Sequence, residues 1–251
     1  MDREVHRVKL FGCPIDNLSM EETLERIERY IKEATPHQHV SINVHKVVSL
    51  YRDPQLRETV QKCALASADG QPIVWASRLL GKPLKTRIAG IDLMQHAVEL
   101  AARKGYTVYF LGARPEVLQK VVEHYQTKFP SLRIAGFSHG YWSTAQEQAV
   151  VQAIREAKPD ILLVAMGSPR KELFLRRYVH TMQVAFAMGV GGSFDVIAGK
   201  TRRAPLWMQR VGLEWLWRVA QEPGRLWSRY FVDAVVFPVL ILKEIFARRA
   251  E

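Results

Sequence analysis

From Tyr106 onward the chain repeats one grammar. Apolar runs at 107–111, 132–137, 161–166 and 184–188 read as strands, and amphipathic stretches at 116–129, 144–157 and 169–180 read as helices between them. The run Ile161-Leu162-Leu163-Val164-Ala165-Met166 has no polar position, as expected of a strand covered on both faces. Strands of this kind joined by helices of this length predict an α/β fold: a Rossmann-like, mostly parallel sheet with helices on both faces. The first half is consistent with it. Ser19 and Glu22 form a capping box that opens an amphipathic helix over 20–33, and 40–44 reads as a strand. Pro54 starts a helix continuing through Leu56, Val60 and Ala64, and the next strand delivers Asp69. Near Gly199 the alternation gives way to Trp- and Arg-rich helical sequence. The reading divides the chain into a catalytic domain, 1–199, and a helical C-terminal appendage, 200–251.

The formal net charge of +11 over 251 residues implies a polyanionic neighbour: nucleic acid, an anionic membrane surface or a phosphorylated substrate. In the appendage, arginines at 202, 203, 210, 218, 225 and 229 are interleaved with Trp207, Trp215, Trp217, Trp227 and Tyr230, a mixture suited to lipid headgroups. The apolar run 234–242 lies between Asp233 and Lys243 and is far short of the roughly 20 residues a spanning helix needs. It has two readings, lying on a membrane or packing back on the core. The two cysteines, Cys13 and Cys63, have neither disulfide-framework nor metal-site spacing, and the first residues carry charge instead of a signal-like apolar core, so a cytoplasmic protein is expected.

Chemistry concentrates where strands end. Asp69, followed by Gly70, falls at the carboxyl end of an apolar run, the sheet edge where α/β proteins bind ligands. It is a candidate general base, and the alternative is a carboxylate that only shapes an Asp-Gly turn. Gly167-Ser168-Pro169 followed by Arg170 and Lys171 suits a diphosphate at a helix start. Gly189-Val190-Gly191-Gly192-Ser193 is a second such place, though Phe194 stands where a dinucleotide fingerprint needs its third glycine. The sequence has no Walker loop, no Gly-x-Ser-x-Gly elbow, no His-Glu-x-x-His pair and no Asp-x-Asp dyad, so the reading favours chemistry without metal or cofactor.

Several ordered segments resemble the WecG/TagA/CpsF glycosyltransferases. They are Ser41-Ile42-Asn43, Ala68-Asp69-Gly70, Arg87 to Asp92, His139-Gly140-Tyr141, Gly167-Ser168-Pro169, Gly192 to Asp195 and Arg203-Ala204-Pro205, and the tail phrase Leu213 to Arg218 continues the match. The resemblance implies transfer of a sugar from a UDP donor to a polyprenyl-diphosphate-linked acceptor in bacterial surface-polymer synthesis. It implies Asp69 as catalytic base, Ser41, Asn43 and Arg87 around the donor sugar and diphosphate, Tyr141 stacked on uracil and Asp195 on the ribose hydroxyls. Relatives usually carry Thr at Ser41, which keeps the hydroxyl, and Gln at Lys171, where this chain adds a cation beside the expected diphosphate.

The mechanism expected is inverting and metal-independent. The appendage would dock on the inner face of the plasma membrane and bring Arg218 or Arg225 over the active edge. Competing readings are a nucleic-acid-binding protein, disfavoured by large apolar side chains among the tail's cations, and a non-catalytic membrane scaffold. A homo-oligomer is compatible with the sequence, which names neither the sugar nor the acceptor.

Overall fold

The computed structural model describes residues 7–249. Two short strands, β1 (Arg7–Leu10) and β2 (Cys13–Asp16), form an antiparallel hairpin. Six more, β3 (His37–Ile42), β4 (Leu65–Ala68), β5 (Thr107–Gly112), β6 (Arg133–Ser138), β7 (Ile161–Ala165) and β8 (Phe186–Gly189), make one sheet in the order β4-β3-β8-β7-β5-β6. Every pairing in it is parallel. The chain leaves β3 for the β4 edge and then crosses to β5 on the far side. Strand order therefore reverses beside β3 and β8, whose carboxyl ends flank the crevice such a reversal opens.

Helices follow in chain order: α1 (Met20–Glu33), α2 (Val44–Arg52), α3 (Pro54–Gln61), α4 (Gln71–Leu79), α5 (Gly90–Lys104), α6 (Pro115–Lys128), α7 (Glu147–Ala157) and α8 (Arg170–Met182). Alternate residues of the strands point to opposite layers. Val108 and Phe110 of β5 pack with α1, α5 and α6, whereas Tyr109 and Leu111 pack with α7 and α8. Val40 and Ile42 of β3 join β1, β2, α2, α3 and α4 in a third apolar cluster. The predicted α1 is present with its capping box, and β7 is buried at every position.

Two local expectations are corrected. The strand read over 40–44 ends at Ile42, because Asn43 accepts the Lys46 N–H at 2.9 Å and caps a helix that begins at Val44. The helix begun by Pro54 ends at Gln61, so Ala64 lies outside it. The apolar residues Ile73 to Ala76 after Asp69 belong to α4.

Beyond β8 come α9 (Ser193–Ile197), α10 (Leu206–Arg210), α11 (Glu214–Gln221) and α12 (Pro223–Arg249). The apolar run 234–242 lies within α12, and part of it packs back on the core. Phe237 and Leu240 are buried in the cluster with β1, β2 and α2, and the buried Asp233 meets His45 Nδ1 at 3.1 Å. The other face presents Trp227, Phe231, Val235, Val239, Leu242 and Phe246 to solvent, with exposures from 49% at Val239 to 63% at Phe246. Spacings of three and four residues place these six on one stripe. No helix among the described residues is long and apolar enough to cross a membrane.

Candidate active site at the carboxyl edge of the sheet

A cleft of about 970 Å³ opens at the ends of β3, β4, β7 and β8 and is roofed by α11 and α12. Ser41, Asn43, Asp69, Arg87, Tyr141, Lys171, Asp195 and Arg218 all line it. Segments up to 177 residues apart in sequence thus meet at one site, as parallel strands with their carboxyl ends at a common edge require. The side chain of Arg225 lies outside the described residues.

Asp69 follows the last residue of β4, and its N–H donates to the Ile42 carbonyl at 2.8 Å. Loss of hydration in the cleft, with Glu214 adding repulsion, raises its pKa from 3.8 to about 6. A hydrogen bond from the Gly90 N–H and the charges of Arg87 and Arg218 act the other way and lose. Gly90 is tightly approached here: a β-carbon on it would stand 3.1 Å from Ser41 Oγ and 3.4 Å from Asp69 Oδ2. The Ser41 hydroxyl is enclosed with no hydrogen-bond partner among the described residues. Its hydrogen-bonding capacity is therefore unused by the protein itself.

Arg87 does not hang free in the cleft. It donates to Glu214 Oε2 at 3.2 Å, to the Gln209 carbonyl at 3.5 Å and to Gln209 Oε1 at 3.4 Å, fastening the sheet edge to α10 and α11. Arg203 makes a second tie, a fork onto both oxygens of Asp92 at 2.5 and 2.7 Å. Arg218 also reaches the site, its Nη2 lying 3.5 Å from where a β-carbon on Gly192 would be.

Lys171, expected as a cation beside a diphosphate, lines the cleft with a carboxylate partner of its own. Its ammonium pairs with Glu172 at 2.8 Å, and Glu172 also holds the buried Lys46. Lys46 in turn donates to Ser168 Oγ at 2.7 Å. Burial alone would raise the pKa of Glu172, but Lys171 and Lys46 together outweigh it and keep the carboxylate below its ordinary range. Burial likewise pulls Lys46 down to about 8 despite Glu172. This lysine-carboxylate-lysine cluster lines the cleft and carries one net positive charge.

Tyr141 is 64% exposed on the rim, and Asp195 sits in the first turn of α9 with Lys200 at 3.0 Å. Asp195 does not cap that helix, whose N-cap is Gly192. Sequence reasoning passed over Glu214, Lys46 and Glu172 as site residues. Glu214 stands inside a tail phrase already recognised as informative, whereas nothing local distinguishes Lys46 or Glu172 from an ordinary helix-surface residue.

A doubly covered parallel sheet with an arginine-bearing cleft at its strand-order reversal defines a Rossmann-like α/β protein. The chain belongs to the glycosyl transferase WecG/TagA/CpsF family, whose model matches residues 8–251. It is 38% identical over 178 residues to an N-acetylglucosaminyldiphosphoundecaprenol N-acetyl-beta-D-mannosaminyltransferase of Bacillus spizizenii, an overlap covering 71% of this chain and 68% of that protein. It is 31% identical over 236 residues to the enzyme of the same name from Bacillus subtilis, covering 94% and 91%.

Proposed function

We propose that this glycosyltransferase is inverting and metal-independent, moving a hexose from a UDP donor to a saccharide linked to a polyprenyl diphosphate. By the names of its relatives, N-acetylmannosamine is the first donor sugar to test and undecaprenyl-diphosphate-linked N-acetylglucosamine the first acceptor. One observation carries the reading: Asp69, a carboxylate whose proton affinity burial raises, lines the same cleft as Arg87, Arg203 and Arg218. In the reaction Asp69 takes the proton of the acceptor hydroxyl as that oxygen attacks the anomeric carbon from the face opposite the diphosphate. General-base assistance of this kind is worth roughly 10²–10⁴-fold. Negative charge then gathers on departing UDP, where Arg87 and Arg218 would meet it.

Ser41 and Asn43, at the end of β3, would hold the sugar and diphosphate. Tyr141 would cover uracil, Asp195 would receive the ribose hydroxyls, and Arg225 would add a further cation from α12. The apolar stripe on α12 supports a peripheral seat on the inner membrane surface, where a lipid-linked acceptor would be presented. The test is UDP release from UDP-N-acetylmannosamine with a short-chain lipid-diphosphate N-acetylglucosamine acceptor, in the presence of a metal chelator. Transfer that stops with the chelator would refute metal independence, and retention of configuration in the product would refute inversion.

A further inference from the structure

The segment carrying Arg87 is bound to the end of β4 twice, by the Ile88 N–H on the Ala68 carbonyl at 2.8 Å and by the Gly90 N–H on the Asp69 carboxylate. Its backbone is therefore fixed beside Asp69 while its guanidinium reaches up to Glu214 and Gln209 on the tail helices. Four charged side chains act on Asp69 from the surrounding elements. Glu214 raises its proton affinity, Arg87 and Arg218 lower it, and Arg203, already committed to Asp92, lies within electrostatic reach. Arg87 is thus the counter-ion of one carboxylate and the electrostatic neighbour of another.

We infer that Glu214 is a positioning residue that couples departure of the diphosphate to proton uptake by Asp69, with Arg87 as the cation shared between them. The inference rests on the reading of Asp69 as base. Before the donor binds, Arg87 neutralises Glu214. A donor diphosphate draws the guanidinium toward its own oxygens, leaving Glu214 unbalanced beside Asp69. Asp69 then attracts the acceptor's proton more strongly at the stage when the acceptor oxygen must surrender it. The acceptor O–H bond breaks and its proton passes to Asp69. The acceptor oxygen bonds to the anomeric carbon, and the bond from that carbon to the diphosphate oxygen breaks with its electron pair leaving on UDP. Because the same arginine is released from Glu214 and engaged by UDP, base and leaving group are assisted together.

The test compares pH profiles of kcat and kcat/KM for the full-length wild type, Glu214→Gln and Glu214→Asp, with UDP-N-acetylmannosamine and the short-chain acceptor. Glu214→Gln should move the acid-side midpoint to lower pH and reduce kcat several-fold. It should also lower KM for the donor by about two- to fivefold, the worth of a partly exposed ion pair that no longer competes for Arg87. Glu214→Asp should restore the midpoint. A midpoint that stays in place in Glu214→Gln, or a KM that rises while kcat holds, overturns the inference and leaves Glu214 a mere fastener of the tail. Failure of the underlying reading looks different: Asp69→Asn, shown to be folded, would then keep its turnover whatever Glu214 does.

Discussion

The stem of Lys171 crosses Gly189 so closely that a β-carbon on the glycine would stand 2.8 Å from Lys171 Cδ and 2.9 Å from its Cε. The far end of the lysine cannot swing away freely, because its ammonium is held by the buried Glu172. Gly189→Ala should therefore force the stem aside and cost about 1–3 kcal/mol, the usual range for an added methyl in a packed site. Lys171→Ala in the same chain removes the obstacle. A double-mutant cycle by urea denaturation should show the two substitutions less harmful together than their separate costs imply, and additive costs would refute the steric link.

Asp69 should trade stability for activity. Its pKa of about 6 in the fold lies above the ordinary aspartate value of 3.8, so the folded state binds the proton more tightly than the unfolded chain does. The charged form consequently weakens the fold. That cost is absent below about pH 3.8, grows through the interval to about 6 and is complete above it. Asp69→Asn should raise stability at pH 7.5 by roughly 1–3 kcal/mol while lowering turnover about 10²–10⁴-fold. The stability gap should narrow at pH 5, as thermal melts at the two pH values would reveal. The wild-type kcat/KM should climb as pH rises through about 6 and then level off.

How far this site is legible in the sequence depends on the range of the interaction. Strand ends and the Asp-Gly break are local, and they located Asp69 at the right edge of the sheet. The helix at Val44 was hidden because the apolar run 40–44 spans two elements, and the signal that separates them is a single Asn43 side chain turned to cap a helix. The β1 and β2 hairpin has only four residues in each strand, too few for alternation to stand out. Pairings such as Lys171 with Gly189, or Arg87 with Glu214, join positions brought close only by the completed fold, and residue types alone do not specify them. The run 234–242 supported two opposed readings because α12 is apolar on both its buried and its exposed face.

If the protein seats on lipid as proposed, docking should depend on the outward face of α12. Trp227 and Phe231 are each 61% exposed, so Trp227→Ser with Phe231→Ser should leave stability within about 0.5 kcal/mol. Removing both rings from a lipid contact should weaken binding to vesicles containing anionic lipid by about tenfold or more. Flotation of the double variant measures this. Undiminished flotation, or no flotation of the wild type, would refute a lipid seat on this face.

Arg170 should act on donor affinity through a loop it never leaves. The first residue of α8, it donates to the Gly140 carbonyl at 3.2 Å and lays its guanidinium over Trp142 at 4.9 Å from the ring centre. Tyr141 stands between those two contacts, exposed on the rim, so its position is set largely by how firmly its neighbours are held. A hydrogen bond of about 0.5–1.5 kcal/mol and a cation-π contact of about 0.5–1 kcal/mol are lost together in Arg170→Ala. If Tyr141 covers the uracil of the donor, KM for UDP-sugar should rise about 5- to 30-fold while kcat changes little, since no reacting atom is disturbed. Arg170→Lys keeps the charge but loses the flat stacking surface, so it should recover only part of the affinity. Full recovery by lysine would mean that charge alone matters there, and a fall in kcat at unchanged KM would mean that Arg170 serves the transfer step and not the uracil clamp.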